Sequence, residues 1–153
     1  MERDSPGVVA PPPLVYLVGL GIGFALEALL PSASVPTAVE WVVGAGLIVA
    51  GAALAASFVR AFRRARTPVN PAEVSTALVT FGPYRFTRNP GYLGMALAYC
   101  GIAVASGALW VFAPLPVVLV VIDRGVIARE ERYLKRRFGA EYTEYRRRVR
   151  RWV

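Results

Sequence analysis

The chain contains no histidine and a single cysteine, Cys100. Without those ligands the common zinc and copper sites cannot be assembled. Ser-His and Cys-His nucleophilic machinery is excluded for the same reason. One cysteine also rules out an internal disulfide, and Cys100 lies inside an apolar run, where packing accounts for it. Charge is scarce too, and its scarcity is patterned. Residues 14–30 carry one charge, Glu27; residues 39–59 carry only Glu40; residues 91–122 carry none.

What remains is strongly apolar. Hydrophobic residues make up 56% of the 153 positions, and the mean hydropathy is +0.47, too high for an ordinary soluble domain. The length suits one domain, taken here as residues 1–153. The apolar blocks at about 14–30, 39–59, 91–106 and 107–123 each approach the roughly 30 Å a helix must cross in hydrocarbon, the last two being short. The expected fold is an all-α integral membrane protein with four transmembrane helices and a C-terminal cytoplasmic amphipathic helical region.

The eighteen lysines and arginines set the orientation. They fall at Arg3, within 60–88, or from Arg124 onward, and none lies in the connections at 31–37 and 105–108. Four spans with both termini on the basic side satisfy the positive-inside rule. Segments 67–90 and 124–153 are therefore expected in the cytoplasm, and the net charge of +8 reflects topology and attraction to anionic lipid. Nucleic acid is a poor partner, because the basic residues abut apolar spans and do not form a soluble reading module. Ser32-Ala33-Ser34 imitates a signal-peptide cleavage site, but the preceding residues 1–9 are not positively charged, so no cleavage is expected. Gly19-Leu20-Gly21-Ile22-Gly23 imitates a dinucleotide loop, yet it sits inside a span with no strand before it. These glycines, with Gly44, Gly46, Ala50 and Gly51, are expected to let helices approach closely.

Prolines at 6, 11, 12 and 13 predict an extended N-terminal tail, and Pro68 and Pro71 an irregular connector after the basic cluster at 60–66. Pro114 and Pro116 are expected to open the fourth span. Beyond Arg124, Ile127, Glu131, Leu134 and Phe138 recur at helical spacing, with Gly139 as a stop and a second short helix bearing Tyr142 and Tyr145. Lipid phosphates explain most of the arginines there. They do not explain the acidic pair Glu130-Glu131.

Arg88-Asn89-Pro90-x-Tyr92 stands where the third span begins. Pro90 suits the first turn of a helix, Asn89 its N-cap, and the positive helix end favours an anion. Glu130 and Glu131 reach the same side from the fourth span. Carboxylates, the aromatic faces of Tyr84 and Tyr92, and arginine donors together suit a zwitterionic, cationic-centred ligand with an aromatic base. S-adenosylmethionine fits that description; a nucleotide fits less well.

The runs Leu78-Val79-Thr80-x-Gly82-Pro83-Tyr84-x-x-x-Arg88-Asn89-Pro90-x-Tyr92-x-Gly94 and Glu130-Glu131-x-x-Leu134-x-x-x-Phe138-Gly139-x-x-Tyr142-x-x-Tyr145-x-x-x-Val149 resemble membrane methyltransferases related to isoprenylcysteine carboxyl methyltransferase and phospholipid N-methyltransferase. The resemblance spans about residues 67–152. It implies a cytoplasm-facing S-adenosylmethionine site and a lipophilic acceptor, carboxyl or amine, arriving from the bilayer. Carried over by position, it assigns Ala77, Leu78, Val79, Tyr84, Asn89, Pro90, Gly91, Tyr92, Glu130 and Glu131 to the cofactor, with Arg88 and Glu130 as positioning groups. Better-known members have histidine where this chain has Asn89. Val126 stands where the family's substrate-contacting arginine precedes the acidic pair, which leaves Arg124 and Arg129 as substrate-binding substitutes. The resemblance implies no metal. Methyl transfer from a sulfonium requires no histidine, since near-attack positioning can supply up to about 7–11 kcal/mol of the barrier.

Two other readings compete with it. Membrane sterol reductases share a similar C-terminal layout and use NADPH, although the short chain lacks their further spans. A non-catalytic membrane protein would use the basic tail, including Arg147 and Arg148, to bind anionic lipid. The bias of Arg over Lys and toward Ala and Val points to a GC-rich bacterium, and hence to a bacterial cytoplasmic membrane.

Overall fold

The computed structural model describes residues 7, 10–30, 37–70 and 73–153, with Val39 by its backbone alone. Arg3, Pro6, Pro71, the Ser32-Ala33-Ser34 cleavage reading and most of the 31–37 connection lie outside the described residues. Every regular element among the described residues is helical: α1 (Pro12–Leu29), α2 (Ala38–Ala65), α3 (Pro90–Ala105), α4 (Leu115–Val121) and α5 (Ala128–Arg148), with short 3₁₀ turns at Gly82–Arg85 and Leu109–Phe112 and a π-helical segment at Ile122–Ile127.

Helix starts follow local chemistry. Pro12 and Pro13 occupy the first turn of α1, where a missing N–H costs nothing. Thr37 and Glu40 form a reciprocal capping box at the start of α2. The Thr37 N–H donates to Glu40 Oε2 at 2.6 Å, and the Glu40 N–H donates to Thr37 Oγ1 at 3.4 Å. That explains the single charge in the second apolar run. The single acid of the first apolar run, Glu27, accepts the Trp110 N–H at 2.9 Å and so satisfies a donor at the 3₁₀ turn.

Helix α2 extends beyond the expected 39–59 span. It carries the basic cluster through Arg63 and Arg64 and ends at Arg66, whose left-handed backbone (φ 51°) stops it. Cations in the last turn complement the helix dipole. The expected fourth span is also not one regular helix. After α3 the chain turns at Gly107 (φ 62°), makes the 3₁₀ turn, and restarts at Pro114. It then passes through the π segment into α5, and Gly139 (φ 51°, ψ −116°) breaks α5 as a stop residue would.

Helices α2 and α3 pack antiparallel along a seam of small residues. On α2 the seam runs through Gly44, Ile48, Gly51, Ala55 and Phe58; on α3 the facing positions, in the same order along the seam, are Ala105, Gly101, Ala98, Gly94 and Gly91. The alternating steps of three and four residues keep one stripe turned toward the partner helix. A β-carbon on Gly51 would stand 2.5 Å from the Gly94 carbonyl oxygen, and one on Gly101 would stand 2.7 Å from that of Gly44. Gly46 meets nothing within 4 Å and Ala50 is exposed, so only part of the expected small-residue set serves packing. Helix α1 uses Gly19 and Gly23 in the same way, against Val118 and Val111, while Gly21 faces open space. Tyr99, Val111, Val118, Ile122, Val126 and Ile127 fill the core between these helices.

Outward faces are apolar. Leu14, Leu17, Val18, Trp41, Val42, Val49, Leu109, Val117 and Val120 are all exposed, a surface suited to lipid and not to water. Three helical stretches are long and apolar enough to cross a membrane: Pro12–Leu29, Glu40–Ala65 and Leu109–Arg148. The 16-residue α3 is shorter, about 24 Å. The third stretch has 40 residues and would measure about 60 Å, twice the hydrocarbon thickness. Its charges begin at Asp123, and charged side chains at the bilayer centre cost about 2.5–3.5 kcal/mol each on insertion scales. The charge-free part of this stretch is residues 109–122, and α5 lies wholly beyond it.

Gly51→Ala should lower the thermal stability of the detergent-solubilised protein by about 1–3 kcal/mol, because overpacking against backbone outweighs the gain in helix propensity. Gly46→Ala should leave it unchanged or slightly raised. Equal melting temperatures for the two variants would refute the seam.

Candidate functional site

The connector between α2 and α3 is held at both ends. Thr76 Oγ1 donates to the Arg66 carbonyl at 3.0 Å, and the Thr76 N–H donates to Thr67 Oγ1 at 3.0 Å. One residue earlier, the Ser75 N–H donates to the Tyr133 hydroxyl at 2.9 Å, and Arg137 Nε donates to the Ser75 carbonyl at 2.6 Å. These bonds draw the connector against α5. Gly82 (φ 63°) then opens the 3₁₀ turn, which sets the Tyr84 ring 5.8 Å from Phe62 and 6.4 Å from Phe58. The Tyr145 hydroxyl donates to the Tyr84 carbonyl at 2.8 Å and ties this turn to the second half of α5.

Beneath the connector lies a partly enclosed cavity of about 270 Å³. Its volume is near the lower end of the range usual for small-molecule sites, about 300–1,000 Å³. Ala77, Leu78, Val79, Tyr84, Asn89, Gly91, Tyr92, Glu130 and Glu131 all line it, and so does Arg88. Pro90 is buried at the first turn of α3 and is not part of the lining. Arg124 and Arg129 lie elsewhere. Arg124 borders a separate shallow groove with Leu93, Leu119, Asp123 and Trp152, and Arg129 Nη1 donates to the Gly7 carbonyl at 2.8 Å.

The two adjacent acids have different partners. Glu130 Oε1 accepts the Tyr92 hydroxyl at 2.6 Å, and no cation among the described residues pairs with it. Burial pushes the Glu130 carboxyl up to about 7; the Tyr92 hydrogen bond opposes this shift and the neighbouring Glu131 adds to it. Burial, with Glu130 and Tyr145 nearby, holds the Tyr84 phenol well above its ordinary value, so it stays neutral. Glu131, by contrast, is held by two arginines. Arg88 Nη1 lies 2.9 Å from its Oε1, and Arg151 donates to it through Nε at 3.1 Å and Nη2 at 2.6 Å.

Arg88 is only half used by the protein. Its side chain is 10% exposed, yet neither Nε nor Nη1 has an aligned hydrogen-bond acceptor among the described residues. The short approach of Nη1 to Glu131 is an ion-pair contact without hydrogen-bond alignment. A buried guanidinium on a cavity wall suits a ligand carboxylate or phosphate. The start of α3 beside it adds a positive helix end. A second wall offers an unpaired carboxylate at Glu130, and Phe58, Phe62, Tyr84 and Met95 leave the rest apolar and aromatic.

Several contributors carry no clear mark in the sequence. Phe58, Phe62, Tyr133, Tyr142 and Tyr145 line the cavity, and of these only Tyr142 and Tyr145 stand out as a helical stripe. Arg151 and Asp123 give no signal at all, because their pairing joins residues 28 positions apart. Asn89 occupies the expected N-cap position, but its side chain makes no cap; Nδ2 instead donates to the Arg151 carbonyl at 2.8 Å.

Glu131→Ala strands two guanidinium groups and should cost about 3–5 kcal/mol in thermal unfolding. Glu144→Ala breaks only exposed pairs with Arg147 and Arg148 and should stay within about 0.5 kcal/mol. Comparable losses for the two would mean that the buried pairs do not hold the site.

The sequence pattern of the phospholipid methyltransferase family matches residues 39–141, about two thirds of the chain. The match therefore takes in α2, the connector, α3 and the start of the charged α5 with both acids. A relative from Haemophilus influenzae, described as an uncharacterized protein, is 37% identical over 62 residues, which is 40% of this chain and 78% of the relative. With all-helical architecture, apolar helices of membrane-crossing length and this match, the chain belongs to the phospholipid methyltransferase family.

Proposed function

We propose that the protein is an S-adenosylmethionine-dependent methyltransferase of the membrane, acting on a lipophilic acceptor through a carboxyl or amine group. One observation carries the reading: an otherwise apolar and aromatic cavity is bordered by a buried guanidinium and, separately, by a buried carboxylate with no cation among the described residues. That charge pattern complements a zwitterion. The amino-acid end of S-adenosylmethionine brings a carboxylate to Arg88 and an ammonium to Glu130. The aromatic faces of Phe58, Phe62 and Tyr84 suit the adenine and the sulfonium. Ala77, Leu78, Val79, Asn89, Gly91 and Tyr92 complete the contact surface, while Pro90 and Glu131 act by holding the α3 start and Arg88.

The cofactor supplies an electrophilic methyl group for in-line displacement. The chain supplies position, low dielectric and exclusion of water. Neither Asn89 nor any other wall residue has to accept a proton near neutrality, because a carboxylate acceptor carries none and an amine acceptor needs only to be neutral. The acceptor enters from the bilayer, in keeping with the apolar outer faces of the helices. In this reading the whole chain is one domain, and α3 crosses the bilayer with the other three stretches. Both termini, the connector and α5 face the cytoplasm, by the basic charge at that end. Arg124 and Arg129 lie outside the cavity, and in this reading they contact the lipid headgroup of the acceptor.

S-adenosylhomocysteine should bind the purified protein in detergent, and NADPH should not, by calorimetry. No binding to the wild-type protein would end this reading. Affinity should also follow the Glu130 carboxyl. Because its ordinary value is raised to about 7, a ligand ammonium requires it to lose a proton. Binding should therefore weaken by up to about tenfold per pH unit below 7 and level off above it. Glu130→Gln should bind weakly with little pH dependence over the same window; a steep dependence retained in that variant would assign the titration to another group.

A further inference from the structure

The C-terminal residues fold back as a strap beside the cavity. The Arg88 N–H donates to the Arg150 carbonyl at 3.0 Å, and Thr87 Oγ1 and Asn89 Nδ2 both donate to the Arg151 carbonyl, at 3.1 and 2.8 Å. Three consecutive residues of the α3 approach thus hold this strap by its backbone. Its one inward cation, Arg151, then divides its guanidinium. Nε and Nη2 engage both oxygens of Glu131, while Nη1 reaches Asp123 at 3.1 and 3.2 Å. Trp152 Nε1 also donates to Asp123, at 3.2 Å.

The consequence is a division of charge. Glu131 is the counter-ion of Arg88, and both side chains are buried. Arg151 engages both Glu131 oxygens and so fixes the carboxylate against which Arg88 Nη1 rests at 2.9 Å. Asp123 in turn balances Arg151, which leaves Glu131 as the counter-charge of Arg88. We infer that Arg151 is a positioning residue, which holds Glu131 and, through it, the Arg88 guanidinium at the cavity wall for the carboxylate end of the ligand. The strap thereby couples residues outside the conventional motif runs to ligand recognition, and Asn89 serves by anchoring the strap. This inference rests on the reading of the cavity as an S-adenosylmethionine site.

The discriminating experiment compares two ligands by calorimetry. One is S-adenosylhomocysteine; the other is its decarboxylated analogue, which keeps the adenosine and the amine and lacks only the carboxylate. Arg151→Gln should weaken S-adenosylhomocysteine by about tenfold or more, the scale of one charge-assisted contact, and leave the analogue within about twofold. Arg151→Lys should recover part of the loss, because a point charge cannot bridge both carboxylates as a planar fork does. Thr87→Val, which loosens the strap without removing a charge, should show a smaller loss of the same selectivity. Equal losses on both ligands would make the strap a general brace and overturn the inference. So would no loss on either. Failure of the wild-type protein to bind S-adenosylhomocysteine would instead overturn the functional reading itself.

Discussion

The small-residue seam between α2 and α3 is the constraint on which the site depends. In lipid, burying apolar surface between helices gains little, so association relies on close packing. Gly51 against Gly94, and Gly101 against Gly44, bring the two backbones too near for any β-carbon. The helices cannot slide by a turn without driving side chains into main chain. That register sets Gly91 against the ring of Phe58, so the start of α3 lies beside the last turns of α2. The connector between them must then loop back over the same end of the bundle. The cavity is the space beneath that loop.

Adjacent residues on α5 divide the electrostatic work. Consecutive helical positions point about 100° apart, and here that angle separates two carboxylates with different surroundings. Glu131 turns toward Arg88 and Arg151 and is fully engaged. Glu130 turns toward Tyr92 and is left with a phenol. The first is a structural tether between loop, helix and strap. The second faces an apolar cavity, where burial raises its carboxyl to about 7 and a ligand cation would favour its charged form. Arg88 borders the same space from the start of α3. Both groups border one cavity because the seam and the strap bring α3 and α5 to one place.

Much of this is legible in the linear pattern. Charge-free runs locate the apolar helices, and the Arg88–Tyr92 and Glu130–Glu131 motifs locate two walls of the cavity. Local rules also place Pro90 at a helix start and Gly139 at a break. The linear pattern fails where a residue's role depends on a distant partner. In sequence Arg151 is one more basic residue for lipid phosphates; in the fold it stands between Asp123 and Glu131. Asn89 has the right identity for a cap, but its amide finds a better acceptor in the Arg151 carbonyl. Gly46 and Ala50 share composition with the seam glycines and lie off its stripe. Arg124 and Arg129 lie close to the acidic motif in sequence, yet they turn away from the cavity.

The sequence by itself determined the solvent of each segment and the local geometry of its ends. Hydropathy, charge spacing, proline and glycine act over a few residues and need no partner, so the apolar stretches, the breaks and the charged end follow from them. Only the tertiary structure decided which charges are satisfied and which are left open. A buried carboxylate is a tether or a binding group according to whether a cation stands within about 3 Å. That distance is set by helix register and by a strap joining residues far apart in the chain, and no local pattern encodes it.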